Sequence, residues 1–159
     1  MSCKINKIDL STVEDVGPWA FGKTENGCTI TELNMPNLKI ARSCAFADIN
    51  TLRNIFVPKI ESVGNSSFAS TSITSFDAPE ALIIGSFSFD HCESLESVNI
   101  PKAKRLSDDS GGESYAFRYC TNLKNVSAPS LEEVGSKAFA GCGKLESISL
   151  PNVVRNVGA

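Results

Sequence analysis

The chain has 159 residues, 42% of them apolar and 21% charged, and its formal net charge is −3. This length suits one domain with a sizeable core, and we predict a single domain over residues 1–159. The composition argues against nucleic acid, which needs clustered Lys and Arg, and no apolar run approaches the ~20 residues of a membrane-spanning helix, so we expect no membrane insertion.

A short alternating apolar stretch that ends in proline recurs along the chain. In chain order it reads "LNMP", "IFVP", "FDAP", "VNIP", "VSAP" and "ISLP", and successive prolines are 22, 21, 22, 28 and 22 residues apart. An earlier copy, "IDLS" at residues 8–11, has serine in place of proline. Alternation with period two predicts a short strand, and proline ends it because proline cannot donate to a strand ladder.

A second recurring half follows each proline. Apolar residues stand two and five positions later, usually with glycine next, and then a small residue precedes phenylalanine. Six of the nine phenylalanines occupy this place: Phe21, Phe46, Phe68, Phe89, Phe117 and Phe139. We expect a short extended segment before the glycine. The run "xxAFxxC" is too short for a stable helix and predicts a single 3₁₀ or α turn.

Three cysteines stand three residues after their phenylalanine, at Cys92, Cys120 and Cys142. In other repeats Ile49 or Thr71 takes this place, which indicates a small, half-apolar slot that a free thiol fills well. Equivalent cysteines in stacked units would lie about a strand spacing apart, beyond the ~3.8 Å between Cβ atoms in a disulfide. We therefore expect buried free thiols.

One such unit cannot bury its own apolar side, but stacked units can, by pairing equivalent strands in parallel at roughly 4.8 Å. The sequence therefore predicts a solenoid with one parallel sheet along it and continuous ladders of phenylalanine and aliphatic residues inside. The insertions "GKTENG" and "SDDSGGESY" are polar and rich in glycine, and we expect them to be loops that bulge from the stack.

The whole pattern, LxxIxIPxxVxxIGxxAFxxC, resembles the BspA-like leucine-rich repeats of surface proteins in bacteria and some anaerobic protists. The stretches "LESVNIP", "IESVGNSSF" and "LEEVGSKAFAGCGKLESISLP" carry the resemblance, which extends from Ile5 to Gly158. It implies a leucine-rich-repeat solenoid, an α/β-class superhelix of mostly short parallel β-strands with 3₁₀ or α turns, in about six repeats of ~22 residues.

Residues that alternate with the buried positions of each strand face outward. They are mostly Asn and Ser, and the candidate binding residues among them are Asn54, Phe56, Asp77, Ser97, Asn99 and Asn125. The resemblance implies an interaction or adhesion protein that is secreted or at the cell surface, although "MSCKINKIDLSTVEDV" lacks the apolar core of a secretory signal. We predict a non-enzymatic module that binds a protein or a glycan. The alternative is a structural spacer with no ligand of its own.

We expect no catalytic site, cofactor or metal. His91 is the one histidine, and beside Cys92 on an extended segment it would point to the opposite side. The loop "DDSGGE" lacks the alternating ligand spacing of a calcium-binding loop. Neither end of the sequence shows a polar capping segment. We therefore expect either a piece of a longer repeat protein or copies that associate end to end.

Overall fold

The computed structural model describes residues 9–22, 29–106, 114–146 and 148–157. Most of the two predicted loops, and the "DDSGGE" stretch within the second, lie outside these residues. The described part of the chain forms short β-strands: β1 (Asp15–Val16), β2 (Glu32–Asn34), β3 (Ile40–Ala41), β4 (Asn54–Phe56), β5 (Ser62–Val63), β6 (Ser75–Asp77), β7 (Ile83–Ile84), β8 (Ser97–Asn99), β9 (Arg105–Leu106), β10 (Asn125–Ser127), β11 (Glu133–Gly135) and β12 (Arg155–Val157).

The strands stack in parallel on two sides of a solenoid, as the repeat predicts. One side is a seven-stranded sheet in the order β1-β3-β5-β7-β9-β11-β12, formed by the second extended segment of each repeat. The other side holds the proline-terminated strands, in a two-stranded sheet β2-β4 and a three-stranded sheet β6-β8-β10. The expectation of one sheet along the solenoid was therefore wrong, because the second extended segment of each repeat also pairs with its neighbours.

The third side consists of the phenylalanine turns, and no α- or 3₁₀-helix occurs among the described residues. We call each repeat a rung and name it by its phenylalanine. Residues two before and two after the phenylalanine have positive φ, as at Ser66 (55°) and Ser70 (57°) in the Phe68 rung. Their N–H groups therefore turn sideways and donate to the next rung, Ser66 to Ser86 at 2.9 Å and Ser70 to Asp90 at 2.8 Å. Alternate N–H groups between them bond three residues back within the rung, as Ala69 does to Ser66 at 3.2 Å, so the segment turns without forming the predicted helical turn.

A continuous stack of phenylalanine rings runs through the core. Successive rings from Phe21 to Phe139 lie 5.0–5.5 Å apart between centroids and within 14° of parallel. Phe46, Phe68, Phe89 and Phe117 are fully buried. Each such ring pair stabilises the fold by about 0.5–1.5 kcal/mol in addition to the stability gained from burying its apolar surface. The ladder that the sequence predicted is confirmed.

The recurring glycine marks a close approach between rungs. A Cβ atom at Gly64 would lie 2.8 Å from the carbonyl oxygen of Ala41, and one at Gly85 would lie 2.8 Å from the backbone nitrogen of Asn65. Gly17 holds the same place in the Phe21 rung and would meet nothing within 4 Å. Glycine is therefore required where one backbone passes over another.

Candidate functional site: a polar groove on the interrupted sheet

Strand alternation exposes a polar face on the proline-terminated strands. All of the candidate binding residues are exposed: Asn54, Phe56, Asp77, Ser97, Asn99 and Asn125. The residues between them, such as Phe76 and Val98, are buried in the core. The predicted division into inward and outward positions is confirmed, because a period of two places alternate side chains on opposite faces of a strand.

A groove of about 820 Å³ runs across β6, β8 and β10 and brings four of these residues together. They are Asp77, Ser97, Asn99 and Asn125. The parallel register places Asn125 opposite Ser97, and Asp77 opposite Asn99. The groove therefore presents amide, hydroxyl and carboxylate groups in two rows that cross the strands.

The polar groups of the groove are oriented by bonds between rungs. Asn99 Nδ2 donates to Asp77 Oδ1 at 2.8 Å. At the rim, Lys124 Nζ lies 2.8 Å from Glu96 Oε2, and this lysine lowers the pKa of the Glu96 carboxyl. Lys144 Nζ also lies on the rim and donates to the side chain of Asn122 at 2.6 Å. The rim charges are thus of mixed sign, and the groove itself offers mainly neutral hydrogen-bonding groups.

Asn54 and Phe56 lie outside the groove. Both belong to β4, which pairs with β2, and the sheet on this side is interrupted between β4 and β6. Asn54 donates to Glu32 at 3.2 Å. Phe56 remains 56% exposed beside Asn34. The structure therefore divides the predicted binding residues into two groups, and a binding role for either group stays a prediction.

The cysteines of the repeat are free thiols turned into the stack. The sulfur atoms of Cys92, Cys120 and Cys142 donate to the carbonyl oxygens of Phe68, Phe89 and Phe117 at 3.0–3.1 Å. Burial raises the pKa of Cys92 and of Cys142 to about 11, and it also raises the pKa of Cys120. Thiols that stay protonated are poor nucleophiles and metal ligands.

His91 does not pair with Cys92. Its ring packs at a tilt against Tyr119 with centroids 4.8 Å apart, and its Nδ1 lies 3.9 Å from the Glu93 carboxylate. Within the described residues, no group of three or more His, Cys, Asp or Glu side chains could hold a metal ion. No helix in that part of the chain could cross a membrane.

An aromatic and cationic cluster on the turn side was missed at the level of sequence. The Arg118 guanidinium lies 5.0–5.3 Å from the ring centroids of Phe87, Tyr115 and Tyr119. It makes two hydrogen bonds to the Asp90 carboxylate, at 2.8 and 2.7 Å, and this hydrogen bonding raises the pKa of Arg118. The sequence did carry a signal for this cluster. Phe87 and Tyr115 stand two residues before the phenylalanine of their repeat, and Tyr119 stands two residues after it, so stacking brings them into neighbouring columns.

Comparison with known proteins agrees with this architecture. The family model described as "BspA type Leucine rich repeat region" matches six copies over residues 1–110 and 113–159. A solved leucine-rich repeat protein from Bacteroides ovatus ATCC 8483 superposes with a TM-score of 0.61 at 20% identity. The alignment covers 95% of this chain and 46% of that protein, so the chain spans about half the length of that relative. No curated protein matches the chain.

Proposed function

The chain belongs to the family of BspA-type leucine-rich repeat proteins, and from that premise we propose that it is a non-enzymatic interaction module. Its polar groove on β6, β8 and β10 receives a protein or a glycan. The observation that carries this proposal is the convergence of Asp77, Ser97, Asn99 and Asn125 in one concave surface of about 820 Å³.

The chemistry of the groove favours recognition over catalysis. Binding sites combine an apolar floor with a few polar groups that fix orientation. Here Phe76, Val98 and Val126 lie under the rows of amides and hydroxyls. The bond from Asn99 to Asp77 holds both side chains in place before a ligand arrives. A ligand then meets oriented donors and acceptors, which reduces the entropy lost on binding.

The test begins with the intact chain, immobilised and screened against a printed glycan array and a phage-displayed peptide library. The best binder is then titrated against Ser97→Arg, which fills the groove, and Asn125→Ala, which removes an amide from it. Ser43→Arg, exposed outside the groove, is the matched control. We expect Ser97→Arg to lose at least tenfold in affinity with an unchanged melting temperature. Equal affinity of Ser97→Arg and wild type would contradict the groove as the site.

The second candidate function, a rigid spacer, is supported by side-chain bonds between neighbouring rungs. Lys102 pairs with Glu80 at 2.6 Å, and Lys39 pairs with Glu14 at 2.8 Å. Such exposed pairs add little stability individually, but together with the phenylalanine stack they join each rung to the next. If the intact chain enriches nothing from either library, the spacer is the better account.

We also propose that the module acts outside the cell, at the surface or after secretion, which the family resemblance supports. Protease shaving of intact source cells, followed by mass spectrometry, tests this. Release of peptides from residues 29–106 without lysis supports it, and recovery of the chain from lysate alone contradicts it.

End-to-end association of copies is a separate proposal. It is tested by sedimentation velocity over a hundredfold range of concentration, where a constant sedimentation coefficient would refute it.

A further inference from the structure

The Phe68 rung is one residue shorter than its neighbours at the corner after the turn. In the Phe46, Phe89, Phe117 and Phe139 rungs a leucine stands six residues after the phenylalanine, whereas Ile73 stands five residues after Phe68. The N–H of each of these leucines donates to the carbonyl three residues earlier, as Leu95 does to Cys92 at 3.0 Å. Ile73 has no such bond among the described residues.

A notch of about 350 Å³ lies at this corner, between the Phe46 and Phe89 rungs. Its lining comes from three rungs and consists of Asn50, Ser70, Thr71, Ser72, His91, Glu93 and Ser94. Ser72 donates through Oγ to the carbonyl of Asn50 at 2.6 Å. The side chains of Asn50, Ser70 and Ser94 make no hydrogen bond within the described part of the chain. They are therefore available to a ligand.

One wall of the notch is an aromatic ring. His91 is held at a φ of 56° and packs against Tyr119, with centroids 4.8 Å apart and ring planes tilted by 37°. The His91 side chain is 48% exposed, and the Glu93 carboxylate lies 3.9 Å from its Nδ1. This φ belongs to the repeat itself, since Asp48, Ser70 and Tyr119 share it at the same position of their rungs.

We propose that this notch binds one neutral sugar residue of a glycan. Amide, hydroxyl and carboxylate groups hydrogen-bond the hydroxyls of a sugar, and the His91 ring offers a flat face for its apolar side. The volume is at the lower end of the ~300–1,000 Å³ of small-molecule sites. The Glu93 carboxylate would repel an anionic ligand, and no Lys or Arg lines the notch to attract one.

The notch shares no lining residue with the groove. The proposal therefore does not rest on the function proposed for the groove, and either site can fail while the other stands.

The experiment titrates the ¹⁵N-labelled full chain with glucose, galactose, mannose and N-acetylglucosamine, each alone, and follows the amide shifts. We expect at least one sugar to shift the amides of Ser70, Ser72 and Glu93 saturably. We further expect His91→Asn to lower the affinity for that sugar at least tenfold, since asparagine tolerates positive φ but lacks the aromatic ring that forms one wall. Asp48→Asn, at the same position of the Phe46 rung, is the control and should bind like wild type.

Three outcomes would overturn the proposal. The first is the absence of saturable shifts at the notch with every neutral sugar. The second is binding of glucosamine or glucuronate without binding of any neutral sugar, because the site would then recognise charge. The third is equal affinity of wild type and His91→Asn, with both folded.

Discussion

The thiol of Cys120 donates a hydrogen bond to the carbonyl oxygen of Phe89, with sulfur and oxygen 3.1 Å apart. The two residues belong to adjacent rungs, and the same relationship joins Cys92 to Phe68 and Cys142 to Phe117. Each cysteine of the column thus links its rung to the one before it. Thr71 occupies the same column, but its hydroxyl donates to Phe68 O of its own rung at 2.9 Å.

Replacement of Cys120 by alanine should lower the free energy of unfolding by about 1–2 kcal/mol, through a lost hydrogen bond and a small cavity. Cys120→Ser retains a donor and should lose less. Urea denaturation measures both. Cys44→Ala is the control, because Cys44 is half-buried and lies outside this column. A loss at Cys44 as large as that at Cys120 would contradict the role given to the bond.

Stability should fall as pH rises above about 9. Burial raises the pKa of Cys92 from 9.0 to about 11, so between these values the unfolded chain has released a proton that the folded chain retains. The stability that this group contributes is fully present below pH 9 and is lost up to about pH 11, by at most ~1.4 kcal/mol per pH unit. Urea midpoints between pH 8 and 10.5 should fall less steeply for Cys92→Thr. Parallel curves for both proteins would refute the assignment.

Removing the hydroxyl group of either of two buried serines should stabilise the folded protein. The hydroxyls of Ser67 and Ser88 are buried without a hydrogen-bond partner among the described residues. Alanine stands in the same column at Ala45, Ala116 and Ala138. Because a buried unsatisfied hydroxyl costs about 1–3 kcal/mol, Ser67→Ala should raise the melting temperature. Ser43→Ala, at an exposed position, should leave it unchanged, and a destabilised Ser67→Ala would show that the hydroxyl has a partner.

The phenylalanine stack should be the most sensitive part of the core. Phe89→Ala should cost about 3–5 kcal/mol, because the neighbouring rungs cannot close the cavity. Phe56→Ala, at a side chain 56% exposed, should cost far less. Thermal and urea unfolding compare the two variants. A loss under about 1 kcal/mol at Phe89 would mean that the rung register is incorrect.

The glycine of the Phe68 rung should not accept a side chain. Gly64→Ala places a Cβ atom 2.8 Å from Ala41 O and must displace backbone, whereas Gly17→Ala meets nothing within 4 Å. We expect a loss above about 1 kcal/mol for Gly64→Ala and little change or a gain for Gly17→Ala. Chemical denaturation distinguishes them, and equal stabilities would contradict the close approach of the rungs.

The spacing of prolines and phenylalanines determined the repeat and the parallel stack. Alternation within each strand determined that Phe76 and Val98 are buried whereas Asp77 and Asn99 are exposed. These features follow from the sequence alone because alternation and periodicity act within a few residues. The helical turn was the exception. Whether residues such as Ser66 turn their N–H groups along the chain or toward the next rung depends on a partner that lies 20 residues away.

Only the tertiary structure decided which exposed residues lie together. The interruption between β4 and β6 separates Phe56 from the groove that gathers Ser97 and Asn125, and the notch beside His91 lies at the short Phe68 rung. Both features depend on how neighbouring rungs align across the stack. A sequence pattern specifies each rung separately, whereas a site is built from the lateral fit between rungs, which exists only once the chain has folded.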